Sequence, residues 1–190
     1  MDDHRRFAGI LLCGGKSRRM GKDKYLLDYR GHSFLELLLG QMAFCDPLLI
    51  AAGTNRVAVP ERVQIVPDFA GGAGPMAGLC GALDRCERPA ALVVACDMPL
   101  FHASLGQWLC AQLGQSDEAV VPYTSDGGRH PLCAVYRVQT CERMQRRLLG
   151  GDNCLQRLLE ELKVRYVPVP QEWEACFQNV NTKDDYAGIL

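Results

Sequence analysis

Ala90-Ala91-Leu92-Val93-Val94-Ala95-Cys96 runs without a polar side chain straight into Asp97. A short, continuous apolar run with no alternation suits a strand buried on both faces, as in the centre of a parallel sheet. Phe7-Ala8-Gly9-Ile10-Leu11-Leu12-Cys13 is a second run of this kind, and it ends at the paired glycines Gly14-Gly15. Leu48 to Ala52 and Val63 to Pro67 read as further strands, and the latter ends at Asp68. Helical patterns lie between the strands. Ser33 and Glu36 form a capping box ahead of an apolar helix to Phe44, before Pro47. Pro75 suits the first turn of a helix reaching about Cys86.

The second half continues the alternation. A helix is expected from Ala103 to Leu113, and strands at Glu118 to Thr124 and Leu132 to Arg137, joined by a Ser125–Gly128 turn. Two amphipathic helices, near Thr140 to Leu149 and Cys154 to Leu162, precede a late strand from Lys163 to Pro168. Thr182 caps a short last helix. Strands alternating with helices at this spacing predict a three-layer α/β domain with a mostly parallel central sheet, spanning 1–190 as one unit. Ligands of such sheets bind beyond the carboxyl ends of the strands. That rule singles out the loops after Cys13, Pro67 and Cys96.

Composition narrows the function. The chain has 190 residues, 48% apolar and 23% charged, with a net charge of -1, so it lacks the basic footprint of a nucleic-acid binder. No apolar stretch approaches the length of a membrane span, and Met1 to Arg6 is charged, unlike a secretory leader. A cytoplasmic location is expected. The ten cysteines include no C-x-x-C pair and do not cluster with histidines, which disfavours a zinc site. Most are read as reduced, buried, small hydrophobes.

The loop after the first strand carries the densest chemistry. Lys16, Arg18, Arg19, Lys22 and Lys24 place five cations within nine residues of the glycine pair. Paired glycines let backbone N–H groups approach a ligand, and cations beside them suit phosphate oxygens. Neither common phosphate loop fits. Lys16-Ser17 falls one position late for G-x-x-x-x-G-K-[ST], and adjacent Gly14-Gly15 rules out G-x-G-x-x-G.

Leu12-Cys13-Gly14-Gly15-Lys16-Ser17-Arg18-Arg19-Met20-Gly21-Lys22-Asp23-Lys24 resembles the L-A-G-G-x-S-x-R-M-G-x-D-K signature of the molybdenum cofactor guanylyltransferase family, with Cys13 in place of alanine. Pro67-Asp68 followed by Gly74-Pro75-Met76-Ala77-Gly78 is similar to the family's D…G-P-L-A-G. Ala95-Cys96-Asp97-Met98-Pro99 is similar to its C-D-x-P. His130-Pro131-Leu132 and Asn179-Val180-Asn181-Thr182 extend the likeness, which covers about 7 to 186.

The resemblance implies a Rossmann-like nucleotidyltransferase fold and transfer of GMP from GTP to the terminal phosphate of molybdopterin. Leu12, Cys13, Gly14, Gly15 and Lys24 are then expected at the nucleotide, with Asp68 and Asp97. Asn179 and Asn181 are expected on the pterin side. Asp97 is assigned as the Mg²⁺ ligand, because such ions take one or two carboxylates plus substrate phosphates. Lys24, Arg19 and Asp97 carry the catalytic roles, and Cys96 is a packed neighbour. GTP and molybdopterin are the expected partners, with molybdoenzyme maturation proteins as possible others; nucleic acid and membrane are not expected.

One departure bears on the base. The family often has an asparagine at the end of the second strand, where this chain has Ala51-Ala52-Gly53-Thr54-Asn55. Either Asn55 takes that role or it is lost, which weakens the preference for guanine. A cytidylyltransferase, a sugar-phosphate nucleotidyltransferase and a non-catalytic nucleotide-binding module are the alternatives.

Overall fold

The computed structural model describes residues 7–14, 23–53, 55, 57–71 and 74–190. Seven strands form the central sheet: β1 (Phe7–Leu12), β4 (Leu48–Ala51), β5 (Val63–Val66), β6 (Ala90–Ala95), β7 (Ala119–Tyr123), β8 (Cys133–Arg137) and β9 (Val164–Pro168). Their order is β5-β4-β1-β6-β8-β7-β9. All adjacent pairs are parallel except the two that β8 makes with β6 and β7. The sheet is thus mostly parallel, as the strand–helix alternation predicts.

Two strands too short to show any period, β2 (Asp28–Tyr29) and β3 (His32–Ser33), form a separate antiparallel hairpin. Arg30 and Gly31 turn it with φ of 55° and 84°. Positive φ at both central residues gives the twist that a two-residue hairpin loop needs.

Side chains alternate across the sheet and build two apolar layers. Ala8, Ile10 and Leu12 of β1 face one layer, with Met76, Leu79 and Leu83 of α2 (Pro75–Asp84), Met144 of α4 (Cys141–Leu149) and Leu158 of α5 (Leu155–Glu161). Leu11 and Cys13 face the other, with Leu35 and Leu38 of α1 (Phe34–Gln41) and Leu105 and Leu109 of α3 (Ala103–Ala111). All six residues of β6 are buried, as its sequence predicts. Burying each of its Leu and Val side chains is worth about 1.5–3 kcal/mol.

A third, smaller cluster joins Leu27, Phe34 and Val180, with Tyr29, Tyr186 and Ile189 packed against it. It ties the hairpin to α6 (Lys183–Ile189).

The capping box of Ser33 and Glu36 is present, and α6 has one made by Thr182 and Asp185. The first helix ends at Gln41 rather than Phe44, and residues 42–44 form turns in which Met42 stays buried. The 3-10 segment Gln171–Phe177 was not expected from the sequence. All ten cysteines are free, and eight are buried. Among the described residues no helix is long and apolar enough to cross a membrane.

Candidate active site

From β1 the chain continues to β4 and β5 on one side, and β6 lies on the other, so the order reverses between β1 and β6. Leu12 and Ala95 are register partners there. The next residues, Cys13-Gly14 and Cys96-Asp97, therefore leave the sheet side by side. A cavity of about 290 Å³ opens at this point. Its walls include Leu12, Cys13, Gly14, Lys24, Asp68 and Asp97, all expected from the sequence. Tyr25, Asn55, Pro75, Gly78 and Leu132 also line it.

Three distant segments meet at Lys24. Its Nζ donates to Asp97 Oδ2 at 3.2 Å and to Asn181 Oδ1 at 2.6 Å. The Lys24 and Asp97 side chains are only 18% and 22% exposed. Asn181 is held by the helix cap, since its backbone N–H donates to Asp185 Oδ2 at 2.8 Å. The Val180 N–H donates to the Asp97 carbonyl at 2.8 Å and fastens the tail to the end of β6. Asn179 is exposed and does not line the cavity. Gly15 and Arg19 lie outside the described residues, as do the other positions of 15–22.

Asp68 is the second charged group. Its Oδ1 is buried without a partner among the described residues. Burial pushes its carboxyl up from the usual range, opposed by a hydrogen bond from the Gly53 N–H. Gly78 of α2 allows this placement, because a Cβ there would stand 3.3 Å from Asp68 Oδ1 and 3.2 Å from Ala51 Cβ.

A raised carboxyl pKa costs stability once the group ionises. The cost is absent below the unfolded value of 3.8 and appears as pH rises through the higher folded value. Asp68→Asn is therefore expected to raise the melting temperature of the nucleotide-free protein at pH 7 by about 1–3 °C. The gain should shrink toward pH 4. Thermal melts at both pH values check this, and a variant no more stable than wild type at pH 7 would refute it.

The neighbouring groups have partners within the chain. Asn55 Nδ2 donates to the Cys13 carbonyl at 3.0 Å, so its amide N–H braces the loop after β1. The Cys13 thiol is pushed far up by its hydrogen bond with Cys96 and by burial, which keeps it protonated and unreactive. His130 Nε2 lies 3.0 Å from Thr124 Oγ1, and its ring packs 4.3 Å from that of Phe177. Burial lowers its pKa, so it is neutral near pH 7 and ties the β7–β8 turn to the 171–177 segment.

Gly14 at the end of β1, the Lys24 ammonium and the strand-end carboxylates Asp68 and Asp97 thus share one cavity. The sequence pattern of the MobA-like NTP transferase domain matches residues 9–166. The chain belongs to this family. It is a nucleotidyltransferase, and the likeness read at residues 12–24, 67–78 and 95–99 extends through the fold. A probable molybdenum cofactor guanylyltransferase of Bacillus cytotoxicus is 31% identical over 96% of this chain and 96% of its own length. The molybdopterin-guanine dinucleotide biosynthesis protein A of Archaeoglobus fulgidus superposes with a TM-score of 0.79 at 24% identity, over 96% of each chain. A Mycobacterium tuberculosis H37Rv protein in complex with manganese superposes at 0.71 with 22% identity, over 97% of each chain. The fold of this MobA-like chain is thus that of the nucleotidyltransferases.

Proposed function

We propose that this chain, as one domain over residues 1–190, transfers GMP from GTP to the terminal phosphate of molybdopterin. A phosphate oxygen of molybdopterin bonds to the α-phosphorus of GTP, and the bond from that phosphorus to the bridging oxygen of the β-phosphate breaks. Pyrophosphate leaves in line, and the product is a guanine dinucleotide form of the cofactor. The attacking oxygen is already anionic near neutral pH, so no protein base is needed. Catalysis reduces to positioning and charge neutralisation.

The observation that carries this reading is the pairing of two unlike ends in one cavity. Asp68 at the end of β5 has an oxygen without a donor among the described residues, and Asp97 at the end of β6 faces an ammonium. Three strand spacings separate β5 from β6, so the strand ends stand roughly 14 Å apart. That span suits N–H or O–H donors of a nucleoside at Asp68 and phosphates near Lys24. Leu12, Cys13 and Gly14 wall the space between, with Gly15 and Arg19 assigned from the family resemblance alone. Asn181, bonded to Lys24, is assigned to the acceptor side, and Asn179 is assigned there from the family resemblance alone.

The corner formed by Asp97 Oδ2 and Asn181 Oδ1 holds the Lys24 ammonium, which supports reading it as a cation position. Among the described residues no three His, Cys, Asp or Glu side chains gather as a metal cage. A site of few protein oxygens completed by substrate phosphates fits Mg²⁺. Asp97 would hold it, and it would supply positive charge against the phosphate oxygens. Lys24 neutralises phosphate charge as pyrophosphate departs. We place the enzyme in the cytoplasm, with molybdoenzyme maturation proteins as its onward partners.

Pyrophosphate release from GTP and from CTP, with Mg²⁺ and molybdopterin, tests the proposal. Acceptor-dependent release with GTP, lost without Mg²⁺, is the expected result. Release with CTP alone would overturn the base assignment. No release with any nucleotide would favour a binding module.

A further inference from the structure

We propose that Lys24 is the resting occupant of the cation position, so that a divalent ion binds the nucleotide-free chain only by evicting the lysine. The inference rests on the reading of Asp97 as the metal ligand and adds a competitor to it. The ammonium sits between Asp97 Oδ2, at 3.2 Å, and Asn181 Oδ1, at 2.6 Å. Both are oxygen donors of the kind that hard divalent cations take. The backbones that carry them are tied. The Val180 N–H is bonded to the Asp97 carbonyl, and the Asn181 N–H to the Asp185 carboxylate. The two side chains are thus kept close to one another, with the lysine between them.

An ammonium and a divalent ion cannot share this corner. They would stand a few ångströms apart with a single carboxylate between them, at side chains that are partly buried. The lysine has a flexible four-carbon stem and can leave. A nucleoside triphosphate changes the balance, because its phosphates offer the lysine a second set of anionic oxygens beside Gly14. Ion and nucleotide then favour one another's binding, and the coupling is reciprocal. In its resting state the chain keeps Asp97 neutralised and rejects stray divalent ions. The ion is retained when it arrives with phosphate.

The test is a Mn²⁺ titration of the nucleotide-free protein, with the free ion followed by electron paramagnetic resonance. Lys24→Met keeps the length of the side chain and removes its charge. It is expected to bind Mn²⁺ about tenfold more tightly than wild type. Asp97→Asn should abolish that binding in both backgrounds. Equal or weaker binding by Lys24→Met, with Asp97→Asn still abolishing it, would overturn the proposal and leave Asp97 as the ligand. Binding that survives Asp97→Asn would overturn the metal assignment instead. A second measurement needs no substitution at position 24. Acetylation of the wild-type protein, mapped by mass spectrometry, should label Lys24 several-fold faster when Mn²⁺ is added, with Lys163 and Lys183 unchanged. A Lys24 labelling rate indifferent to Mn²⁺ would refute the competition even if the methionine variant did not fold.

Discussion

Asp97→Ala is expected to lower nucleotidyl transfer by about 100- to 1000-fold or more, while circular dichroism shows an intact fold. The carboxylate is the anionic member of the corner that holds Lys24, and alanine leaves that corner without its negative charge. The tie from the tail survives, because the Val180 N–H bonds to the main-chain carbonyl of residue 97 and not to its side chain. What the fold loses is a partly exposed ion pair, worth about 1 kcal/mol at most. Steady-state rates over a magnesium series separate the possibilities. Full activity at saturating magnesium would remove Asp97 from the reaction.

Gly81→Ala is expected to have the larger effect on stability. A Cβ at position 81 would stand 2.1 Å from the Pro67 carbonyl oxygen, 3.0 Å from the Phe69 nitrogen and 3.2 Å from the Asp68 carbonyl carbon. All three are backbone atoms, so α2 or the segment after β5 must move. Overpacking of this kind costs about 3 kcal/mol, against a gain of about 1 kcal/mol in helix propensity. The net loss should lower the melting temperature by about 4–8 °C. Because the displaced segment carries Asp68, nucleotide affinity should fall as well. Gly40→Ala is the control, since a Cβ there meets nothing within 4 Å and should stabilise α1 slightly. A Gly81→Ala protein as stable as wild type would show that the contact relaxes at little cost.

The sheet was legible wherever a strand is buried on both faces. β1, β4 and β6 are continuous apolar runs, and no alternative element accounts for them. The two helix caps were legible because a capping box is a local pattern. The direction of β8 was not, since Cys133 to Arg137 would read as the same strand in either sense. The end of α1 was misplaced because Met42 remains buried beyond the last helical turn, so the apolar pattern outruns the helix. The hairpin of Asp28–Tyr29 and His32–Ser33 is too short to carry a period.

The site divides in the same way. Gly14, Asp68 and Asp97 follow from the rule that ligands sit beyond strand ends. The meeting of Lys24 with Asp97 and Asn181 joins positions 73 and 157 residues apart, which no local pattern encodes. Only the family resemblance placed them in one site. The unpartnered oxygen of Asp68 and the close packing at Gly81 are tertiary facts, decided by where α2 comes to rest.

The small cluster of Leu27, Phe34 and Val180 bears on how the enzyme fails. It holds the tail that carries Asn181, yet it is far smaller than either layer beside the sheet. Regions with few buried apolar contacts open first, well below global unfolding. The tail can thus come away while the sheet still stands, taking one partner of Lys24 with it. The upper temperature at which such a molecule still works is therefore expected to follow these few side chains before it follows the strength of the core.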